Sequence, residues 1–180
     1  MNMDTHTPAA ATEVDYDPFA ESAPVARVVP TTEAQREIWL ACQLGGDATL
    51  AYNESVTLHL HGAVDLQHLS EAVRSLTDRH DALRATLSAD GQQLLIAEHL
   101  ALDIPLDDLR SLSPDQRDSA LRQAASQAVA LPFDLQQGPP FRARLLQLAD
   151  DHVALLLSAH HIVCDGWSFG VQLSELDKLY

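Results

Sequence analysis

The chain has 180 residues, 46% of them hydrophobic, which is enough for one globular domain without disulfide or metal staples. Its 26 acidic residues against 11 lysines and arginines give a formal charge of −15, and a surface of that sign repels phosphate backbones, which argues against nucleic acid as a partner. No apolar run approaches the ~20 residues that span a bilayer, no basic segment followed by an apolar one opens the chain as a secretory signal, and Cys42 and Cys164 have neither disulfide-framework nor zinc spacing, a usage that suits a reducing cytoplasm.

Residues 1–30 form a compositional zone of their own. Pro8, Pro18, Pro24 and Pro30 interrupt it, Ala, Thr and acidic residues fill most of it, and Arg27 is its one Lys or Arg. Too few apolar groups offset the cost of ordering it, which predicts a flexible leader or linker. Tyr16-Asp17-Pro18-Phe19 is a candidate docking element inside it, against the plainer reading of a linker that contacts nothing. Residues 31–180 read as one globular unit. Thr32-Glu33-Ala34-Gln35 is a capping box that opens a helix, with Ile38, Trp39 and Cys42 near one face. Val56, Leu58 and Leu60 alternate with Thr57, His59 and His61, the pattern of a half-buried strand stopped near Gly62. Asp65 caps a second helix with Leu66, Leu69, Val73 and Leu76 at helical spacing. Residues 83–87 are a short strand that pairs with a strand over residues 93–97 across the turn signal Asp90-Gly91. Ser113-Pro114-Asp115-Gln116 starts a helix that runs to about Ala130. Beyond the break at Gly138-Pro139-Pro140, residues 141–148 and 153–159 are two strands joined through Ala149-Asp150-Asp151, and the second is apolar on both faces, as a central strand is. Residues 167–180 read as a final helix.

The apolar run from Val153 to Leu157 delivers Ser158-Ala159-His160-His161 at a strand end, with Asp165-Gly166 ahead of the last helix. Polar groups at the end of a buried strand are held rigidly, and such positions often build sites. Neighbouring strand residues point to opposite faces, so His160 and His161 have different roles, one facing a cleft and the other packing inside. The same geometry argues against a metal, because two adjacent histidines do not converge on one ion and no third ligand is evident near His161 and Asp165. A histidine near its ordinary pKa of ~6.5 exchanges a proton at neutral pH, and Gly166 allows a positive φ or a close backbone approach. Residue chemistry alone leaves two readings, an acid–base histidine at a strand end or a pair of satisfied core histidines.

The run His160-His161-x-x-x-Asp165-Gly166-Trp167-Ser168 closely resembles the HHxxxDGWS signature of nonribosomal peptide synthetase condensation domains, in the chloramphenicol acetyltransferase-like superfamily. Two further segments resemble that family's motifs in the expected order. Residues 32–40 (TEAQREIWL) are similar to its opening SxAQxRLW, and residues 79–87 (RHDALRATL) to RHExLRTxF, while Leu131-Pro132-Phe133-Asp134-Leu135 and Gly138-Pro139 also have the family's look. The resemblance covers about residues 30–180.

It implies an α/β fold, a chloramphenicol acetyltransferase-like two-layer sandwich of a mixed sheet with helices packed on one face, present here as a single N-terminal lobe. A second, C-terminal lobe would complete a tunnel that admits two phosphopantetheine arms, one from the carrier domain of an acyl or peptidyl thioester donor and one from the carrier domain of an aminoacyl thioester acceptor. The acceptor amine attacks the donor thioester and an amide forms. The resemblance further implies that His161 faces the tunnel as general base or as the group that holds the amine, and that His160 is structural. Asp165 is implied to be structural through a salt bridge to Arg84 or Arg79, while Gly166, Trp167 and Ser168 shape the loop and the helix start; for Trp167 a plain packing aromatic is the competing reading. No cofactor is expected on this lobe itself, the carrier domains, the missing lobe and a downstream adenylation domain are the expected partners, and the lobe alone is expected to be inactive. The rival readings are an epimerization domain, another HHxxxDG acyltransferase acting on a free alcohol, a noncatalytic carrier-binding module, and an unrelated small α/β protein with core histidines.

Overall fold

The computed structural model describes residues 24–45 and 47–180. The expectations placed on residues 1–23, the docking element at residues 16–19 among them, lie outside those residues. The elements run β1 (Val25–Pro30), α1 (Glu33–Cys42), the one-turn α2 (Asp47–Leu50), β2 (Asn53–His61), α3 (Leu66–Arg79), β3 (Ala85–Leu87), β4 (Gln93–Ala97), β5 (Leu106–Asp108), α4 (Pro114–Ala130), β6 (Phe141–Ala149), β7 (His152–His160) and α5 (Gly166–Leu179).

Residues 25–30 depart from the leader reading. They form an antiparallel edge strand against β4, in a three-stranded sheet of order β1-β4-β3. β-Branched Val25, Val28 and Val29 favour the extended chain, and Pro30 is tolerated at the end of a strand that, among the described residues, pairs on one side only. Thr31 then anchors the junction, its N donating to Gln92 O at 3.0 Å and its Oγ1 to Gly91 O at 2.9 Å. Gly91 holds a φ of 69°, and a Cβ there would overlap the Trp39 ring, so only glycine lets this turn close against α1. The strand expected over residues 83–87 is shorter than its pattern, because Asp81–Arg84 close a 3-10 turn before β3 begins.

The second sheet has the order β2-β7-β6-β5, mixed because β5 runs parallel to β6 while the other pairs are antiparallel. β7 is its centre, with residues 153–160 all buried. One face carries Val153, Leu155 and Leu157 of β7 with Phe141, Ala143 and Leu145 of β6, covered by Leu69, Val73 and Leu76 of α3 and by Phe169 and Leu176 of α5. The helices expected on one face cover both, for Leu146, Leu148, Ala154 and Leu156 meet Ala124 of α4 on the other side. The cause is in β7 itself: a strand apolar on both sides needs a cover on each. Capping boxes at Thr32/Gln35 and Ser113/Gln116 start α1 and α4, and Asp65 Oδ1 accepts from His68 N at 2.9 Å to start α3.

Candidate active site

β7 ends at His160, and the chain turns tightly, with Val163 N donating to His160 O at 3.0 Å, before Asp165 caps α5. Two main-chain hydrogen bonds fix the histidine pair: His160 N donates to Pro140 O at 3.0 Å, and His161 N to Tyr52 O at 2.8 Å on the β2 side. Strand alternation then sends the two rings to different surroundings.

His160 is fully sealed, at 0% exposure. Its Nδ1 accepts from Ile162 N at 3.2 Å, so the neutral ring carries its proton on Nε2, which faces Cys42 Sγ at 3.7 Å. Phe133 meets the ring edge-on at 6.1 Å between centroids, and Tyr52 lies at 5.9 Å. Burial, and secondly the neighbouring His161, push the His160 pKa down to about 4. Both nitrogens are thus committed, and the ring ties the turn to α1.

His161 is different. Its side chain is 38% exposed, and Nδ1 lies 2.6 Å from Glu54 Oε1. Nδ1 itself is shut off from solvent, and its approach to the carboxylate is off the hydrogen-bond line, so the two groups are held close by the backbone that carries them. The exposed part of the ring is therefore the edge that carries Nε2. Tyr52 stacks alongside at 6.5 Å with an interplanar angle of 23°. An imidazole held on one nitrogen and open on the other can accept a proton or an N–H from a reactant.

The other expected site residues divide. Asp165 meets neither Arg84 nor Arg79. Its Oδ1 accepts from Ser168 N at 2.8 Å and from Ser168 Oγ at 2.6 Å, the N-cap of α5, and those hydrogen bonds hold its pKa below the usual carboxylate range. Arg84 instead donates to Ala97 O, Thr77 O and Asp78 O and pairs with Asp81 at 2.5 Å, joining the end of α3 to β4. Arg79 pairs with Glu175 of α5 at 3.1 Å, a carboxylate it shares with His80 at 2.7 Å. The second motif thus does reach the helix after the histidines, at its far end rather than at Asp165. An exposed cap contributes less than a buried ion pair. Asp165→Ala should therefore lower the melting temperature of the chain by only about 2–4 °C, read by thermal denaturation; failure to fold would restore the ion-pair reading.

Gly166 has neither positive φ nor a close neighbour, and a Cβ on it would meet nothing within 4 Å among the described residues, so neither reason expected for glycine holds here. Ser168 shapes the loop through Asp165. Trp167 is 83% exposed, so it is not a packing aromatic among the described residues. Sequence reasoning missed Glu54 and Tyr52, since only the β2–β7 register, which sets Glu54 opposite Ala159, brings them to His161. It also missed that Gln35, besides closing its capping box, donates from Nε2 to Ile162 O at 3.0 Å and so joins the first motif to the histidine turn.

Both cysteines are buried and free, and burial raises both thiols, Cys164 to about 11, which makes them poor nucleophiles. Among the described residues no group of three or more His, Cys, Asp or Glu is placed to hold a metal ion, and no helix is long and apolar enough to cross a membrane. A cavity of about 600 Å³ lies between α4 and the sheet, lined by Ala128, Arg142, Leu156 and Ser158, on the face away from His161.

The family model for the condensation domain matches residues 25–180, from the first residue of β1 onward. The chain belongs to the condensation-domain family. It is 41% identical over 159 residues to the chondramide synthase of Chondromyces crocatus, a match that covers 87% of this chain and 4% of that protein. The crystal structure of the starter condensation domain of rhizomide synthetase superposes with a TM-score of 0.76 at 28% identity, over 86% of this chain and 39% of that one. A variant of the same domain, solved in complex with C8-CoA and Leu-SNAC, superposes with a TM-score of 0.76 at 27% identity, over 85% of this chain and 35% of that one. This chain thus corresponds to an N-terminal portion of a condensation domain, well under half the length of the solved chains it matches.

Proposed function

We propose that this condensation-domain portion supplies the histidine lobe of an enzyme that joins a carrier-bound acyl or peptidyl thioester to a carrier-bound aminoacyl thioester in nonribosomal peptide biosynthesis. The observation that carries the reading is His161, an imidazole anchored by its main chain and by Nδ1, with the Nε2 edge on the open side. The acceptor amine forms a C–N bond to the thioester carbon, and the C–S bond breaks. The proton lost by nitrogen passes to His161 Nε2 and then to the departing phosphopantetheine sulfur. General-base help of this kind contributes ~10²–10⁴ in rate, and alignment of two tethered reactants contributes at least as much. That a related domain holds two ligands together, C8-CoA and Leu-SNAC, supports a site built for two substrates.

The lobe binds no cofactor of its own in this reading; phosphopantetheine arrives on the donor and acceptor carrier domains. A C-terminal lobe completes the tunnel, an adenylation domain charges the acceptor carrier, and two free buried cysteines fit the cytoplasm. On its own the 180-residue chain is inactive, because His161 then lines an open side instead of a tunnel. Single-turnover assays with loaded donor and acceptor carriers test this. Amide is expected from a complete condensation domain containing this chain and not from the chain alone. Amide formation by the chain alone would overturn the inactivity, and preference for a free alcohol over the aminoacyl carrier would overturn the substrate class.

A further inference from the structure

The core-facing stripe of β2 reads Glu54, Val56, Leu58, Leu60, and the last three pack into the main core. A carboxylate at the head of such a stripe breaks the pattern and calls for a partner, because burying even part of a charge is costly unless it is paired. Its partner is His161, with Oε1 at 2.6 Å from Nδ1. The distance is built into the sheet: Glu54 stands opposite Ala159, and His161 N is tied to Tyr52 O, two residues before Glu54 in the chain. Nδ1 is closed to solvent, so water does not compete for it. Asp165, the nearby carboxylate of the same turn, has its Oδ1 committed to Ser168.

We propose that Glu54 is a positioning residue that keeps the proton of neutral His161 on Nδ1 and so leaves the lone pair on Nε2, toward the acceptor amine. A neutral imidazole has one donor and one acceptor nitrogen, and the partner of one decides the state of the other. Without the carboxylate the ring is free to place its proton on Nε2, which then repels the amine hydrogen instead of accepting it. The inference rests on the reading that His161 handles the amine.

Glutamine is nearly isosteric with Glu54, and its amide can donate to Nδ1, which favours the wrong tautomer. In a complete condensation domain containing this chain, long-range ¹H–¹⁵N spectra of ¹⁵N-histidine-labelled protein should show His161 as the Nδ1–H tautomer, and Glu54→Gln should shift it toward Nε2–H. Amide formation by Glu54→Gln should fall about 10- to 100-fold in kcat, by analogy with the loss of a partner that orients a metal-bound histidine, with KM for the acceptor carrier nearly unchanged. Glu54→Asp should keep the parent tautomer and recover much of the rate. An unchanged tautomer and rate in Glu54→Gln would overturn the role of Glu54 and leave that of His161 standing. A switched tautomer with a parental rate would overturn the role of His161 itself, because its Nε2 lone pair would then be dispensable.

Discussion

Replacing His161 with alanine should cut amide formation by a complete condensation domain ~10²- to 10⁴-fold while leaving it folded. The two halves of that expectation come from one geometry. The ring is 38% exposed and its polar contact is to a partly exposed carboxylate that water can reach, so its loss costs the fold less than the loss of a sealed ring. In the proposed reaction, by contrast, its Nε2 edge takes the proton that leaves the attacking amine. His160→Ala should behave in the opposite way. That ring is sealed among Tyr52, Phe133 and Cys42, and its removal leaves a cavity and strands the Ile162 N–H, a combination of about 2–4 kcal/mol. Single-turnover rates and thermal melts of the two variants separate the roles. A His161→Ala domain within threefold of the parent rate would show that catalysis rests on alignment of the tethered substrates alone.

Acid should destabilise the fold through His160 well before carboxylates protonate. The ring is neutral in the native state with a pKa of about 4, against an ordinary value near 6.5 once the chain unfolds. Between those two values the unfolded chain binds more protons than the folded one, so stability rises with pH across that window. Stability present above ~6.5 is lost as pH falls to ~4, and one group with these two values accounts for about 3 kcal/mol. His152 acts in the same direction, lowered by burial and then by His61 and His59 beside it. Asp165 and Asp108, held low by their hydrogen bonds, act below the ordinary carboxylate value of 3.8 and so in a separate, more acid window. Equilibrium denaturation of the chain at pH 7, 5.5 and 4.5 should show the loss, and His160→Gln should flatten the profile between ~6.5 and ~4. A parent profile already flat there, or a variant with the parent slope, would contradict a neutral His160.

Most of the fold was legible because its signals are local. The alternation of Val56, Leu58 and Leu60, the apolar run of β7 and the cap residues Thr32, Asp65 and Ser113 each fix one element within a few residues. Elements that depend on a partner were not. β1 lies in a proline-interrupted zone and exists because β4 offers it an edge, and β5 is three residues held by β6. The different surroundings of His160 and His161 follow from strand alternation alone. The placement of Asp165 does not follow from the family motif, although the spacing Asp165-x-x-Ser168 is itself the signal of a helix N-cap, a local bond that here prevails over a distant arginine. Glu54 was illegible for another reason. Its place in the core-facing stripe of β2 marks it as odd, but only the register of β2 on β7 shows what it faces.

The most direct test is to ask which imidazole the substrate meets. An acceptor carrier whose phosphopantetheine bears an aminoacyl analogue with an electrophile in place of the amine should alkylate a complete condensation domain. Mass spectrometry of the digested adduct should place the label on His161, and His161→Ala should abolish it. Labelling of His160 instead, or labelling that persists in His161→Ala, would show that the reactive amine lies elsewhere and would contradict a catalytic His161.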